Sequence, residues 1–98
     1  MMKAITMSKT GGPEVLKLKE INLGKPGPDE VLIEHAAIGL NYIDTYHRTG
    51  LYPVNLPSGI GAEASGIIKE IGSNVKDFKV GDRISYAGIP LGAYSTHR

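Results

Sequence analysis

Glycine interrupts this chain wherever an apolar run would otherwise grow long, and that spacing limits what it can build. Thirteen of the 98 residues are glycine, with six prolines besides; the usual share of glycine is about 7%. Helix interiors tolerate such content poorly, because glycine loses more backbone freedom on ordering than any other residue. The glycines are not low-complexity filler, since each lies between β-branched, apolar segments. Short strands joined by many turns are what such a chain can form.

Lys3 to Ser8 reads as an opening strand, stopped by the turn signal Thr10-Gly11-Gly12-Pro13. Glu14 to Leu23 alternates Val15, Leu16, Leu18 and Ile21 with Lys17, Lys19 and Glu20, as an exposed antiparallel strand should. A connection over Gly24 to Asp29 leads into the longest β signal, Glu30 to Leu40. One helix is expected, Tyr42 to Arg48. Asn41 stands at its N-cap and Asp44 in the third position, like a capping box with a shorter acid. Asp44 and Arg48 are spaced for an i,i+4 ion pair, and Gly50 follows as a stop. Leu51 to Gly61 reads as loop. Glu63 to Gly72, Arg83 to Ala87 and Ala93 to His97 read as further strands, with turns at Ser73-Asn74 and Gly81-Asp82. Many strands, one helix and no βαβ alternation predict a mainly β (α+β) fold, a small partly open barrel. A chain of 98 residues supports one such domain and not two.

Composition excludes several functions. The 11 basic and 10 acidic residues are spread without a run, so no stripe for nucleic acid exists. No apolar stretch approaches the roughly 18 residues of a membrane span, and the start lacks a signal-peptide core. A cytoplasmic protein is the expectation. Cysteine is absent, which removes disulfides and thiolate metal sites. In Gly59-Ile60-Gly61-Ala62-Glu63-Ala64-Ser65-Gly66 the third glycine comes two residues too late for a dinucleotide fingerprint, and a strand follows where a helix should begin. No G-x-S-x-G or P-loop is present. His35, His47 and His97 are spaced unlike a metal-ligand pair.

The chemically richest stretch runs from Gly39 to Pro53. Three of the five tyrosines, Tyr42, Tyr46 and Tyr52, fall within eleven residues beside Asn41, Asp44 and Arg48. On a helix Tyr42 and Tyr46 share one face, where rings could stack on a planar ligand and hydroxyls donate to it. The same residues also suit a packing role, with Asn41 capping, Asp44 pairing with Arg48 and the tyrosines filling the loop. Spacing alone leaves both open.

These motifs resemble a known family. Gly11-Gly12-Pro13-Glu14-Val15-Leu16 is similar to the opening hairpin of zinc-free quinone oxidoreductases of the zeta-crystallin type, in the medium-chain dehydrogenase/reductase superfamily. Gly39-Leu40-Asn41-Tyr42-Ile43-Asp44, Tyr46 and Gly50-Leu51-Tyr52-Pro53 look like their active-site helix and loop. Pro57 to Gly66, Lys79-Val80-Gly81-Asp82-Arg83 and Leu91-Gly92-Ala93-Tyr94 match the superfamily in the right order. The resemblance implies a GroES-like barrel over residues 1–98, the catalytic or substrate domain in incomplete form. It also implies an NADPH-binding Rossmann domain that is absent from this chain. In the zinc branch a Cys stands in place of Asn41 and a His in place of Ala62; neither residue here is a good zinc ligand, so no metal is expected.

Carried over by position, Asn41 would sit beside the nicotinamide, and Tyr46 and Tyr52 would line the quinone pocket as catalytic residues. Tyr42, Asp44 and Arg48 would flank the cofactor with Asn41, and Glu63 would be structural. The implied reaction is hydride transfer from NADPH to a quinone or related small electrophile. The chain stops among strand-like residues at Arg98, so truncation is expected, with a homo-oligomer as its consequence. Alternatives are an enone or enoyl reductase of the same superfamily and a non-enzymatic barrel module. A co-chaperonin, of similar length and barrel, is disfavoured because Thr10 to Leu23 reads as turn and strand instead of a mobile loop.

Overall fold

The computed structural model describes residues 2–98. Two antiparallel three-stranded sheets carry the chain. In the first, β1 (Met2–Met7) lies between β2 (Lys17–Ile21) and β4 (Ser58–Gly59). In the second, β5 (Glu63–Ile71) lies between β3 (Val31–Ile38) and β6 (Arg83–Ala87). One helix, α1 (Ile43–Thr49), connects β3 to β4.

Alternation decides the faces of β5. Ala64, Gly66 and Ile68 point inward and are buried, while Glu63, Ile67 and Lys69 face out. Ile68, Met7 and Ile60 are the largest fully buried side chains, and each contributes roughly 1.5–3 kcal/mol by leaving water. Leu32 and Ile33 of β3, Val15 and Ala93 complete this modest core. At Gly66 the backbones of β5 and β3 approach so closely that a Cβ would lie 2.2 Å from the Glu34 carbonyl oxygen. The pairing slips next to it, between His35 and Ala37, leaving Ala36 as the extra residue of a bulge.

Residues 94–98 join the two sheets. Ile5 N–H donates to the Tyr94 carbonyl (2.8 Å) and Thr96 N–H to that of Lys3 (2.8 Å). On the other side His35 N–H donates to Thr96 (2.8 Å), and Arg98 N–H to Ile33 (2.9 Å). The outer edge of β3 is thereby bridged to β1. Nothing bridges β2 to β6 among the described elements, so the barrel stays open there. The free β2 edge carries exposed Lys17, Lys19 and Glu20, charges that discourage a further strand from adding.

The strands over 63–72 and 83–87 agree with expectation to within a residue. Other expectations need correction. The strand expected from Glu14 to Leu23 begins only at Lys17 and ends at Ile21, because Pro13–Val15 forms a 3-10 turn that buries Val15. The strand over 30–40 stops at Ile38. The expected loop at 51–61 contains β4, whose two residues pair antiparallel with Thr6 and Met7 of β1. The expected strand at 93–97 makes only isolated bridges, Ala4 to Ser95 and Glu34 to His97, as its pairing crosses from one sheet to the other.

Candidate functional site

Helix α1 begins without a side-chain cap. The expected capping box is half present. The Asp44 N–H donates to the Asn41 carbonyl (3.0 Å), and the Asn41 N–H donates back to Asp44 Oδ2 (3.1 Å). The Asn41 amide group is left without a hydrogen bond among the described residues. The expected Asp44–Arg48 ion pair does not form. Arg48 Nη1 donates instead to the Gly11 carbonyl (3.3 Å), and Gly11 N–H donates to the Arg48 carbonyl (2.9 Å). These two bonds tie the end of the helix to the turn after β1.

Asp44 has a partner from elsewhere in the chain. It is 3% exposed, and its Oδ2 accepts a short hydrogen bond from the Tyr94 hydroxyl. Its Oδ1 is buried without a partner. Burial raises the Tyr94 pKa well above the ordinary phenol value, and the bond to Asp44 and its charge push the same way. No local pattern links these residues, which lie 50 positions apart. The sequence marked Tyr94 only as part of the Leu91–Tyr94 motif, without a role.

The glycine stop assembles the tyrosines. Gly50 adopts φ +89°, a left-handed cap natural to glycine, and it turns the chain back over the helix. Gly50 N–H and Tyr52 N–H then both donate to the Tyr46 carbonyl, each at 3.2 Å. This sets the Tyr46 and Tyr52 rings edge to face, with centroids 5.2 Å apart. Tyr42 meets the other side of Tyr46 at 5.4 Å, as the i,i+4 spacing led one to expect. His47 packs against Tyr52 at 6.1 Å. Such edge-to-face pairs contribute roughly 0.5–1.5 kcal/mol beyond area burial.

The structure therefore brings Tyr42, Tyr46 and Tyr52 into one row on an open face. Asn41 lies at the start of the same helix, with its amide bonded to neither ring. Tyr42 is 74% and Tyr52 47% exposed. Asp44 faces inward and Arg48 faces the Gly11 turn. The cavity between β3, β5 and β6, about 530 Å³ and lined by Ile33, Ile68, Phe78, Ile84 and Tyr86, includes none of these residues. Glu63 lies across Gly39, where a Cβ would meet its carboxylate at 2.1 Å. Ala62 offers only a methyl group. Among the described residues no three His, Asp or Glu side chains converge as metal ligands, and no helix is long and apolar enough to cross a membrane.

An open barrel of two antiparallel sheets, with one short helix displaying polar and aromatic groups, is the form of a GroES-like domain. The chain matches the alcohol dehydrogenase GroES-like domain over residues 27–97 and belongs to that family. Within it, the similarity runs to quinone oxidoreductases of the medium-chain dehydrogenase/reductase type. The quinone oxidoreductase of Pseudomonas aeruginosa is 54% identical over 96 residues, covering 97% of this chain and 30% of that protein. A crystal structure of Escherichia coli quinone oxidoreductase complexed with NADPH superposes with a TM-score of 0.94 at 50% identity, covering 98% of this chain and 30% of that one. A 2-haloacrylate reductase from a Burkholderia species is 41% identical over 102 residues, covering all of this chain and 31% of that protein. The chain thus spans about a third of the length of the curated relatives it matches.

Proposed function

We propose that this chain is the substrate-side domain of a zinc-independent, NADPH-dependent quinone oxidoreductase, whose Rossmann domain lies outside these residues. The observation that carries the reading is the row of phenols beside an uncommitted Asn41 amide, at the position where the zinc branch holds its metal. Family membership and the similarity to quinone oxidoreductases support it.

The donor set fits one wall of a nicotinamide and substrate site. The Asn41 amide is free to bond a carboxamide or a substrate oxygen, and the Tyr46 and Tyr52 hydroxyls make no hydrogen bond among the described residues. NADPH, when bound, supplies the hydride. A quinone is already a good acceptor, so the protein's share is positioning and charge stabilisation. Tyr46 and Tyr52 present ring edges and faces to a planar substrate. Their hydroxyls, and the Asn41 amide, can donate to the oxygen on which negative charge grows, a role in which one donor contributes about 10²–10³ in rate. Tyr42 flanks the row, and Asp44 and Arg48 act from behind it by holding the helix. The residues do not fit catalytic zinc, since an amide and a methyl group stand where ligands would be needed.

The test uses the full reading frame that carries this chain. Oxidation of NADPH with simple benzoquinones and naphthoquinones should be rapid and insensitive to a metal chelator. Tyr46→Phe and Tyr52→Phe should each lower kcat. Inhibition by chelation, or absence of quinone turnover, would refute the reading. A second reading, reduction of activated alkenes, is favoured by the similarity to 2-haloacrylate reductase. Enone turnover exceeding quinone turnover under the same conditions would select it.

A further inference from the structure

We propose that Tyr94 is a positioning residue for Asn41, acting through the buried Asp44 carboxylate. The inference deepens the functional reading above and rests on it, because it assigns value to where Asn41 stands.

Among the described residues Asn41 is held only through its backbone, and Asp44 makes both of those bonds. The Asn41 carbonyl accepts from Asp44 N–H, and the Asn41 N–H donates to Asp44 Oδ2. Small rotations of the Asp44 side chain would therefore swing the free amide of Asn41 directly. That carboxylate needs an anchor of its own, and on the helix there is none, since Arg48 is turned to Gly11. Tyr94 supplies it from the opposite wall.

Tyr94 is itself fixed by three attachments. Its N–H donates to the Ile60 carbonyl (2.9 Å), and its carbonyl accepts from the Ile5 N–H (2.8 Å). Its ring fills the space over Gly61, where a Cβ would lie 2.4 Å from the ring carbon Cδ1. Gly61, at φ +93°, leaves the room that this ring requires. A phenylalanine would satisfy the packing alone. Only the hydroxyl reaches Asp44, and a buried carboxylate oxygen that loses one of its two donors is destabilised. The line from barrel wall to Tyr94, Asp44 and Asn41 therefore places the amide by way of backbone hydrogen-bonded to β1 and to Ile60.

Tyr94→Phe in the full reading frame keeps the ring and removes only the hydroxyl. Quinone-dependent kcat should fall about tenfold, as expected for losing a hydrogen bond to a charged group, while KM for NADPH changes less than about twofold. The Asn41 backbone N–H should exchange with solvent about tenfold faster, because its acceptor is released. In an Asn41→Ala background the same change should cost less than about twofold in kcat, since the group being placed is gone. Equal losses in both backgrounds would overturn the proposal, as would unchanged kcat with unchanged exchange. If the wild-type protein reduces no quinone, the functional reading has failed on its own, and Asn41 exchange then decides about Tyr94: unchanged protection overturns the positioning. Should Tyr94→Phe not fold, Asp44→Asn carries the same double-mutant test, with additive losses again the refuting result.

Discussion

Replacing Gly66 by alanine tests whether the two backbones of the second sheet meet as closely as described. The added Cβ would stand 2.2 Å from the Glu34 carbonyl oxygen, 2.9 Å from its carbon and 2.9 Å from Ile33 Cγ2, where ordinary contact begins at 3.4 Å. Backbone atoms of a paired strand must therefore retreat by more than an ångström, beside one of the two places where the β3–β5 register already shifts. Overpacking of this kind costs about 3 kcal/mol. Removing glycine's freedom in the unfolded chain returns at most about 1 kcal/mol. The net loss is about 2–3 kcal/mol, which for a domain of this size lowers the melting temperature by roughly 8–24 °C. Gly81→Ala is the control. Gly81 has φ +96° but nothing within 4 Å of the new methyl group, so only the left-handed backbone penalty of about 1–2 kcal/mol applies. Urea and thermal unfolding followed by circular dichroism measure both variants. A Gly66→Ala protein within 1 kcal/mol of wild type, or one more stable than Gly81→Ala, would refute the account of close backbone packing.

Three further outcomes follow from the same geometry. Asp44→Ala leaves the Tyr94 hydroxyl and the Asn41 N–H without their acceptor and should destabilise by about 3 kcal/mol in equilibrium denaturation. Tyr94 is harder to ionise in the folded protein than in the unfolded chain, so its contribution is complete below the ordinary tyrosine pKa near 10. Above that value the unfolded state sheds a proton that the native state keeps, and stability should fall with rising pH, less steeply in Tyr94→Phe; urea midpoints from pH 8 upward check this. Lys25→Ala breaks the Lys25–Glu70 pair, but the lysine side chain is 91% exposed, and the change should cost less than about 1 kcal/mol in the same assay.

Much of the architecture was legible because it is local. The strand over Glu63 to Gly72, the stop at Gly50 and the i,i+4 placing of Tyr42 and Tyr46 all act within a few residues, and each is found in the fold, the strand to within one residue. What escaped the sequence is non-local. The Asp44–Arg48 spacing was sound, yet the acid takes a phenol from 50 positions away while Arg48 turns to the Gly11 carbonyl. Val15 fits an alternating strand by pattern, but Pro13 holds its neighbours in a 3-10 turn and sends it into the core. Residues 58–59 carry no strand signal, and pair only because Met7 runs past them. For the candidate site, the residue types were visible from the start, as was the shared face of two tyrosines. The meeting of Tyr46 with Tyr52 depended on how Gly50 folds the chain back, which spacing alone does not determine.

The stitch made by residues 94–98 also sets a schedule for assembly. Lys3 and Thr96 are 93 positions apart, so a ribosome adding about 5–20 residues per second emits the first partner roughly 5–19 s before the second. Throughout that wait the outer rim of β3 and the Lys3–Ile5 stretch of β1 lack the partner they take in the fold, and unpaired rims are where chains seize one another. The seam that unites the two halves arrives after every strand it joins, and a topology ruled by such distant pairings folds slowly.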